Sequence, residues 1–267
     1  VGWAVSNDVT WFDEQSDFAG FTWKQLSRDT FEGRRPDRAR GVLRALGNHK
    51  YSFETIYEDG ETTCTRASSL EQLLAAWFTP VDLAHRIAAW ALDGIAPDVR
   101  RELRVLEPSA GEGNIARGLL AAGVLEKNLT LVEINPTRAA RLELMFPFAR
   151  VICADFLSFV KSYKNLAWDL SVGNPPYDGG LDTRHVSALM SRVDDAVLLL
   201  PLQSLAGGAR YDAVWSQLVL LRLAVLVTRP KHPSGDLESA SSGKRDSMVV
   251  DVSTRPTDAD TRLEWWI

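Results

Sequence analysis

From about residue 103 to residue 253 the chain alternates short apolar runs with amphipathic ones, and this alternation decides the fold class. "RVLEP", "LTLVEI", "ARVICAD", "WDLSVG", "AVLLLPL", "RLAVLVTR" and "SMVVDVS" read as strands. Between them, "GNIARGLLAAG", "PTRAARLELMF", "HVSALMSRV" and "ARYDAVWSQL" place apolar residues at helical spacing. Strands separated by helices build parallel βαβ units, because a parallel neighbour is reached only through a long crossover. The expectation is an α/β protein with a doubly wound, seven-stranded, mostly parallel sheet. A ligand of such a sheet sits outside the carboxyl ends of the strands.

Upstream, "SSLEQLLAAWF" opens on a serine cap followed by Glu71 and carries helical periodicity. Thr79-Pro80 then starts a second helix, "VDLAHRIAAWAL", which stops near Gly94. Proline is tolerated in that first turn, where its missing N–H would have no partner. Residues 1–66 differ in character: they are Trp-rich, mixed in charge and weakly periodic, with "YEDGETT" reading as a hairpin turn. These shifts divide the chain into an N-terminal extension, 1–66, and a main domain, 67–267.

The net charge of −5 does not advertise a nucleic-acid binder, yet the distribution is uneven. Residues 31–50 hold Arg34, Arg35, Arg38, Arg40, Arg44 and Lys50 against only Glu32 and Asp37. The cluster reads either as a solvated face or as a phosphate-contacting patch. Cys64 and Cys153 are far apart and form no C-x-x-C, which argues against zinc and a disulfide framework and fits a reducing, cytoplasmic setting. No apolar stretch approaches the roughly 20 residues of a membrane span. The first residues are polar and acidic, unlike a signal peptide, and no initiator Met precedes them. "KHPSGDLESASSGK", Ser- and Gly-rich, reads as a linker or as a flap beside a ligand.

The unusual residues cluster where strands end. "LEPSAGEGNIA" follows the first strand and opens a helix, with Gly111 and Gly113 allowing close backbone approach. Glu107 and Glu112 make this turn hostile to a pyrophosphate and hospitable to a cation. Glu133 closes the second strand, 20 residues after Gly113, where a carboxylate commonly takes a ribose diol. Asp155-Phe156 closes the third; Asp155 either accepts from an adenine amino group, with Phe156 packed on the ring, or caps the following helix. The fourth strand runs into "NPPYDGG". An amine attached to an aromatic ring is a poor nucleophile, because its lone pair is delocalised. The Asn174 amide oxygen and the Pro175 carbonyl are two acceptors that would draw such a nitrogen towards a tetrahedral shape. Pro175 and Pro176 fix the backbone without adding donors, and Tyr177 supplies a face for a planar substrate.

Taken in order, these pieces resemble the S-adenosylmethionine-dependent amino-methyltransferases, most closely the N6-adenine DNA methyltransferases of the gamma motif order. The resemblance spans roughly residues 75–253. It implies a Rossmann-like class I methyltransferase fold, S-adenosylmethionine as cofactor, and a DNA adenine flipped out of the duplex beside Tyr177. "WFTP" looks like the upstream cofactor motif, which places Thr79 and Pro80 near the methionine end. "LEPSAGEGN" looks like the first cofactor loop, contributing Glu107, Ser109, Gly111, Gly113 and Asn114. Glu133 and Ile134 look like the ribose turn, Asp155 and Phe156 like the adenine turn, and Asn174-Pro175-Pro176-Tyr177 like the catalytic motif. Family members stack a second aromatic residue on the base; here the nearest planar side chain is His232, a loose match.

The gamma enzymes usually carry a large recognition domain after the catalytic one, and this sequence continues only about 15 residues past its last expected strand. DNA contacts would then come from the N-terminal arginines, Arg34, Arg35 and Arg38 among them, or from a separate specificity subunit. Such an enzyme would fit a restriction-modification system. RNA adenine methylation, glutamine methylation of a protein, and a silent methyltransferase-like binding module are the rival readings.

Overall fold

The computed structural model describes residues 22–27, 30–34, 40–47, 50–56, 62–67, 79–163, 166–177, 180–228, 230 and 246–267. Its first part is an antiparallel meander. Strands β1 (Thr22–Ser27), β2 (Thr30–Arg34), β3 (Arg40–Gly47), β4 (Lys50–Ile56) and β5 (Thr62–Ala67) pair in chain order. β4 and β5, which flank "YEDGETT", are antiparallel neighbours with Ile56 opposite Thr62. Two arginines of the basic cluster are already ion-paired across strands. Arg40 meets Glu32 at 2.6 Å and Arg44 meets Glu54 at 3.3 Å. Arg34 stands at the end of β2, whereas Arg35 and Arg38 lie outside the described residues. So do the "SSLEQLLAAWF" helix, Trp77, Phe78, His232 and the "KHPSGDLESASSGK" segment.

The second part is built on strands that are apolar on both faces. Helix α1 (Val81–Ala91) and the short α2 (Pro97–Glu102) lead into β6 (Val105–Glu107). Then come α3 (Asn114–Ala121), β7 (Leu129–Glu133), α4 (Pro136–Met145), β8 (Arg150–Cys153), α5 (Phe156–Ser162) and β9 (Leu170–Gly173). α6 (Leu181–Met190), β10 (Asp195–Pro201), α7 (Gly208–Ala213), β11 (Val219–Leu226), β12 (Ser247–Ser253) and β13 (Arg262–Trp266) complete it. Successive strand residues point to opposite faces, so Leu198, Leu200, Met248 and Val250 enter one core while Val197, Leu199 and Val249 enter the other. Both faces therefore need helices. α5 and α6 cover the first core; α1 and α3 cover the second. At the α1–α3 contact, a Cβ on Gly118 would lie 2.9 Å from the Ala84 carbonyl oxygen, so glycine sets the separation of these helices.

The sheet order is β13-β11-β12-β10-β9-β6-β7-β8, and every neighbouring pair is parallel except the two made by β12. This is the expected doubly wound α/β sheet, extended from seven strands to eight. The extra strand, β13, lies beyond the last expected one. Its anchor is an aromatic cluster: Trp266 meets Trp90 edge-on at 5.4 Å, and Glu264 accepts from both indole N–H groups at 3.2 Å. Arg222 of β11 lies 4.1 Å over the Trp90 ring and bonds Asp251 of β12 at 2.6 Å. Two helix boundaries also differ from the sequence reading. α6 starts at Leu181 rather than near His185, because Gly180 takes a left-handed conformation (φ 78°) and turns the chain into the helix. "ARYDAVWSQL" breaks at Val214, after which Trp215 is buried with its indole on the Ser204 carbonyl, 2.7 Å away.

The chain leaves β6 towards β7 and β8, then returns to lay β9 on the other side of β6. The loops after β6 and β9 therefore diverge at the switch point of the sheet. That is where a doubly wound fold opens a crevice.

Candidate active site

Three separate stretches of chain meet at this switch point. Thr79 is buried just before α1, and its carbonyl accepts from Asn114 Nδ2 at 2.8 Å. Its hydroxyl accepts from Asn174 Nδ2 at 3.1 Å. Thr79 thus joins the Gly-rich loop after β6 to the Asn-Pro-Pro-Tyr loop after β9. The two loops also touch directly: a Cβ on Gly173 would lie 2.8 Å from Pro108 Cδ. At the helix end of the first loop, Gly113 is left-handed (φ 73°), and a Cβ there would meet Phe146 and Leu142 at 2.7 and 2.8 Å. Gly111 is left-handed as well, at φ 55°.

The site is acidic and partly unsatisfied. Glu133 is buried; Oε2 accepts from Gly111 N and Oε1 from Asn135 N, both at 2.8 Å, with Arg138 at 3.4 Å. A carboxylate oxygen has more than one acceptor position, so Oε2 retains capacity for a hydroxyl. Glu107 is buried at the end of β6, and its Oε2 has no hydrogen-bond partner. Burial pushes the Glu107 carboxyl well above its usual range; a bond from the Ala116 N–H opposes the shift, and the neighbouring Glu133 adds to it. Ser109, Gly111, Asn114 and Ile134 are half-buried on the loops after β6 and β7.

Asp155 does cap its helix: Oδ2 accepts from Ser158 N at 3.0 Å and from Ser158 Oγ at 2.9 Å. Phe156 faces the core and stacks on His185, ring centroids 5.4 Å apart. Tyr177 is buried, and its hydroxyl donates to Asn174 Oδ1. In this conformation the asparagine oxygen is engaged by the tyrosine of its own motif.

The structure adds three buried polar residues to those singled out from the sequence. Asp182 of α6 accepts from the Ser204 hydroxyl, and His185, one turn on, bonds the Leu181 carbonyl at 2.8 Å through Nδ1. Burial lowers the His185 pKa, outweighing the nearby Asp155. The signal was Asp182 and His185 at i, i+3 on an otherwise apolar helix stripe.

No family model matches the sequence, and no curated protein matches it. Solved structures do match the fold. The methyltransferase subunit of a type I restriction-modification system from Streptococcus thermophilus superposes with a TM-score of 0.56 at 13% identity, over 71% of this chain and 47% of that one. A second type I restriction-modification structure gives 0.52 at 14% identity, over 73% and 45%. A protein of Pyrococcus horikoshii assigned as an RNA methyltransferase gives 0.50 at 17% identity, over 66% and 86%. This chain spans less than half the length of the two restriction-modification chains. The fold matches the Rossmann-like fold of the class I methyltransferases. Among the described residues, no helix is long and apolar enough to cross a membrane.

Proposed function

We propose that this protein transfers a methyl group from S-adenosylmethionine to the exocyclic N6 amine of an adenine, with DNA as the substrate. The observation that carries the reading is the meeting of Thr79, Asn114 and Asn174 at the switch point, beside two buried carboxylates. The donor set fits the cofactor. A buried carboxylate with an unpartnered oxygen calls for a cation, and Glu107 has one. Glu133 would hold the ribose hydroxyls, and the turn at Asp155-Phe156 would border the adenine, with the Phe156 ring itself in the core. Pro80, Ser109, Gly111, Gly113, Asn114 and Ile134 would line the remainder, and Thr79, whose hydroxyl is on Asn174, would tie that lining to the catalytic loop. When bound, S-adenosylmethionine supplies a methyl group on a positively charged sulfur.

The remaining work falls to the chain. Asn174 Oδ1 and the Pro175 carbonyl accept the two amine hydrogens and localise the nitrogen lone pair. The lone pair so localised would take up the methyl group that the bound cofactor would supply. The extra proton on nitrogen is then acidic and leaves to water, so no strong base is required. Tyr177 must turn from Asn174 to admit and stack the flipped base, and Pro176 holds the loop against that movement.

The motif order and the Thr79-Pro80 segment support DNA, with Arg34, Arg35 and Arg38 of the N-terminal 66 residues, or a separate specificity subunit, supplying contacts. RNA is the second reading, favoured by the likeness to the assigned RNA methyltransferase over 86% of that chain. The test is incubation with labelled S-adenosylmethionine and separate DNA, RNA and protein pools, followed by digestion to the modified monomer. Label in N6-methyladenine from DNA is expected; label confined to RNA or to glutamine would remove the DNA assignment. Asn174→Ala should abolish transfer while leaving cofactor binding intact, and transfer surviving that change would refute the mechanism.

A further inference from the structure

The resemblance assigns Thr79 to the cofactor, but its side chain is engaged elsewhere. The hydroxyl is the partner of Asn174 Nδ2 at 3.1 Å, and Thr79 is buried at 6% exposure, where water is a poor substitute. An asparagine amide has a donor end and an acceptor end of nearly equal shape, and a half-turn about its terminal bond exchanges them. Methyl transfer to an amine needs the oxygen outward. The reversed amide would set its NH2 against the N–H groups of the target, donor against donor.

One end of the Asn174 amide is held by the Tyr177 hydroxyl and the other by Thr79. An incoming amine takes the position of the tyrosine hydroxyl on Oδ1. The Thr79 bond lies at the opposite end and need not be displaced. Thr79 is itself fixed, because Asn114 Nδ2 donates to its carbonyl at 2.8 Å and Pro80 leads directly into α1. We infer that Thr79 is a positioning residue for the transfer step, its hydroxyl holding the Asn174 amide with the oxygen facing the target nitrogen. This assignment rests on the methyl-transfer reading above.

Thr79→Val keeps the shape and removes the hydroxyl; Thr79→Ser keeps the hydroxyl. The expected result for valine is a loss of tenfold or more in kcat, with the dissociation constant for S-adenosylmethionine within threefold of wild type. Serine should restore kcat to within threefold. Thermal melting and the cofactor titration certify that each variant is folded. Should valine not fold, Thr79→Ala read against Thr79→Ser makes the same comparison without a buried methyl clash. A kcat unchanged in the variant lacking the hydroxyl would overturn the assignment. So would cofactor affinity falling in parallel with rate, which would mark direct contact with the cofactor. Absence of methyl transfer by the wild-type protein in every pool would instead overturn the reading beneath it.

Discussion

Glu107 ends β6 in surroundings that disfavour its charge: it is buried, close to Glu133, and one of its oxygens has no partner. The folded protein therefore keeps a proton on this carboxyl at pH values where the unfolded chain has released it. Stability is full below the ordinary value of 4.5 and is lost as pH rises through the raised folded value. A cation bound beside Glu107 would reverse the preference and expel the proton. Glu107→Gln, the neutral isostere, should raise the melting temperature at neutral pH and flatten its pH dependence. The same change should weaken S-adenosylmethionine binding by about 2 kcal/mol or more, roughly thirtyfold, since a desolvated charge pair loses one member. Melting curves and calorimetric titrations across pH test both halves. A variant that binds the cofactor as well as wild type would remove Glu107 from the site.

Among the elements, β13 shows what holds the far edge of the sheet. Arg222 bridges β11 to Asp251 of β12 and to the Trp90 ring of α1, while Glu264 ties β13 to Trp90 and Trp266. Arg222→Met should cost about 3 kcal/mol, because it strands a largely buried Asp251 carboxylate. Burial already raises the Asp251 pKa, against the pull of Arg222. The loss measured in urea should therefore be greater at neutral than at acid pH; a change within error would show that the pair contributes nothing. Strands β6 to β12 were legible in the chain because each is a short apolar run bounded by turn residues, as in "AVLLLPL" and "SMVVDVS". β13 was not, since "RLEWW" carries two charges and gains its place through a cluster with Trp90, 176 positions before Trp266. The same distinction holds at the site. Glu107, Glu133 and Asn174 announce themselves by lying at strand ends, whereas the Thr79–Asn174 bond joins residues 95 apart and no local pattern reveals it.

For the whole molecule, the antiparallel meander and the doubly wound sheet divide the labour in the methyl-transfer reading. Arg40 and Arg44 are engaged with Glu32 and Glu54; the DNA reading assigns phosphate contact to Arg34, Arg35 and Arg38. Replacing these three together with Gln in the full chain should lower the slope of log affinity for DNA against log salt by about 2 to 3. Cofactor binding should not change; an unaltered slope would exclude these arginines from the DNA contact. On the methyl-transfer reading, the chemistry would depend on how the two halves of the doubly wound sheet are coupled. Pro108 rests against the bare Cα of Gly173, in a space that a single added carbon would overfill. A contact without slack transmits displacement in both directions. On the methyl-transfer reading, whichever reactant first settles the loop after β6 also sets the posture of Asn174 for the second. Under that reading the two loops would be set by the first reactant, and reset after each turnover, together.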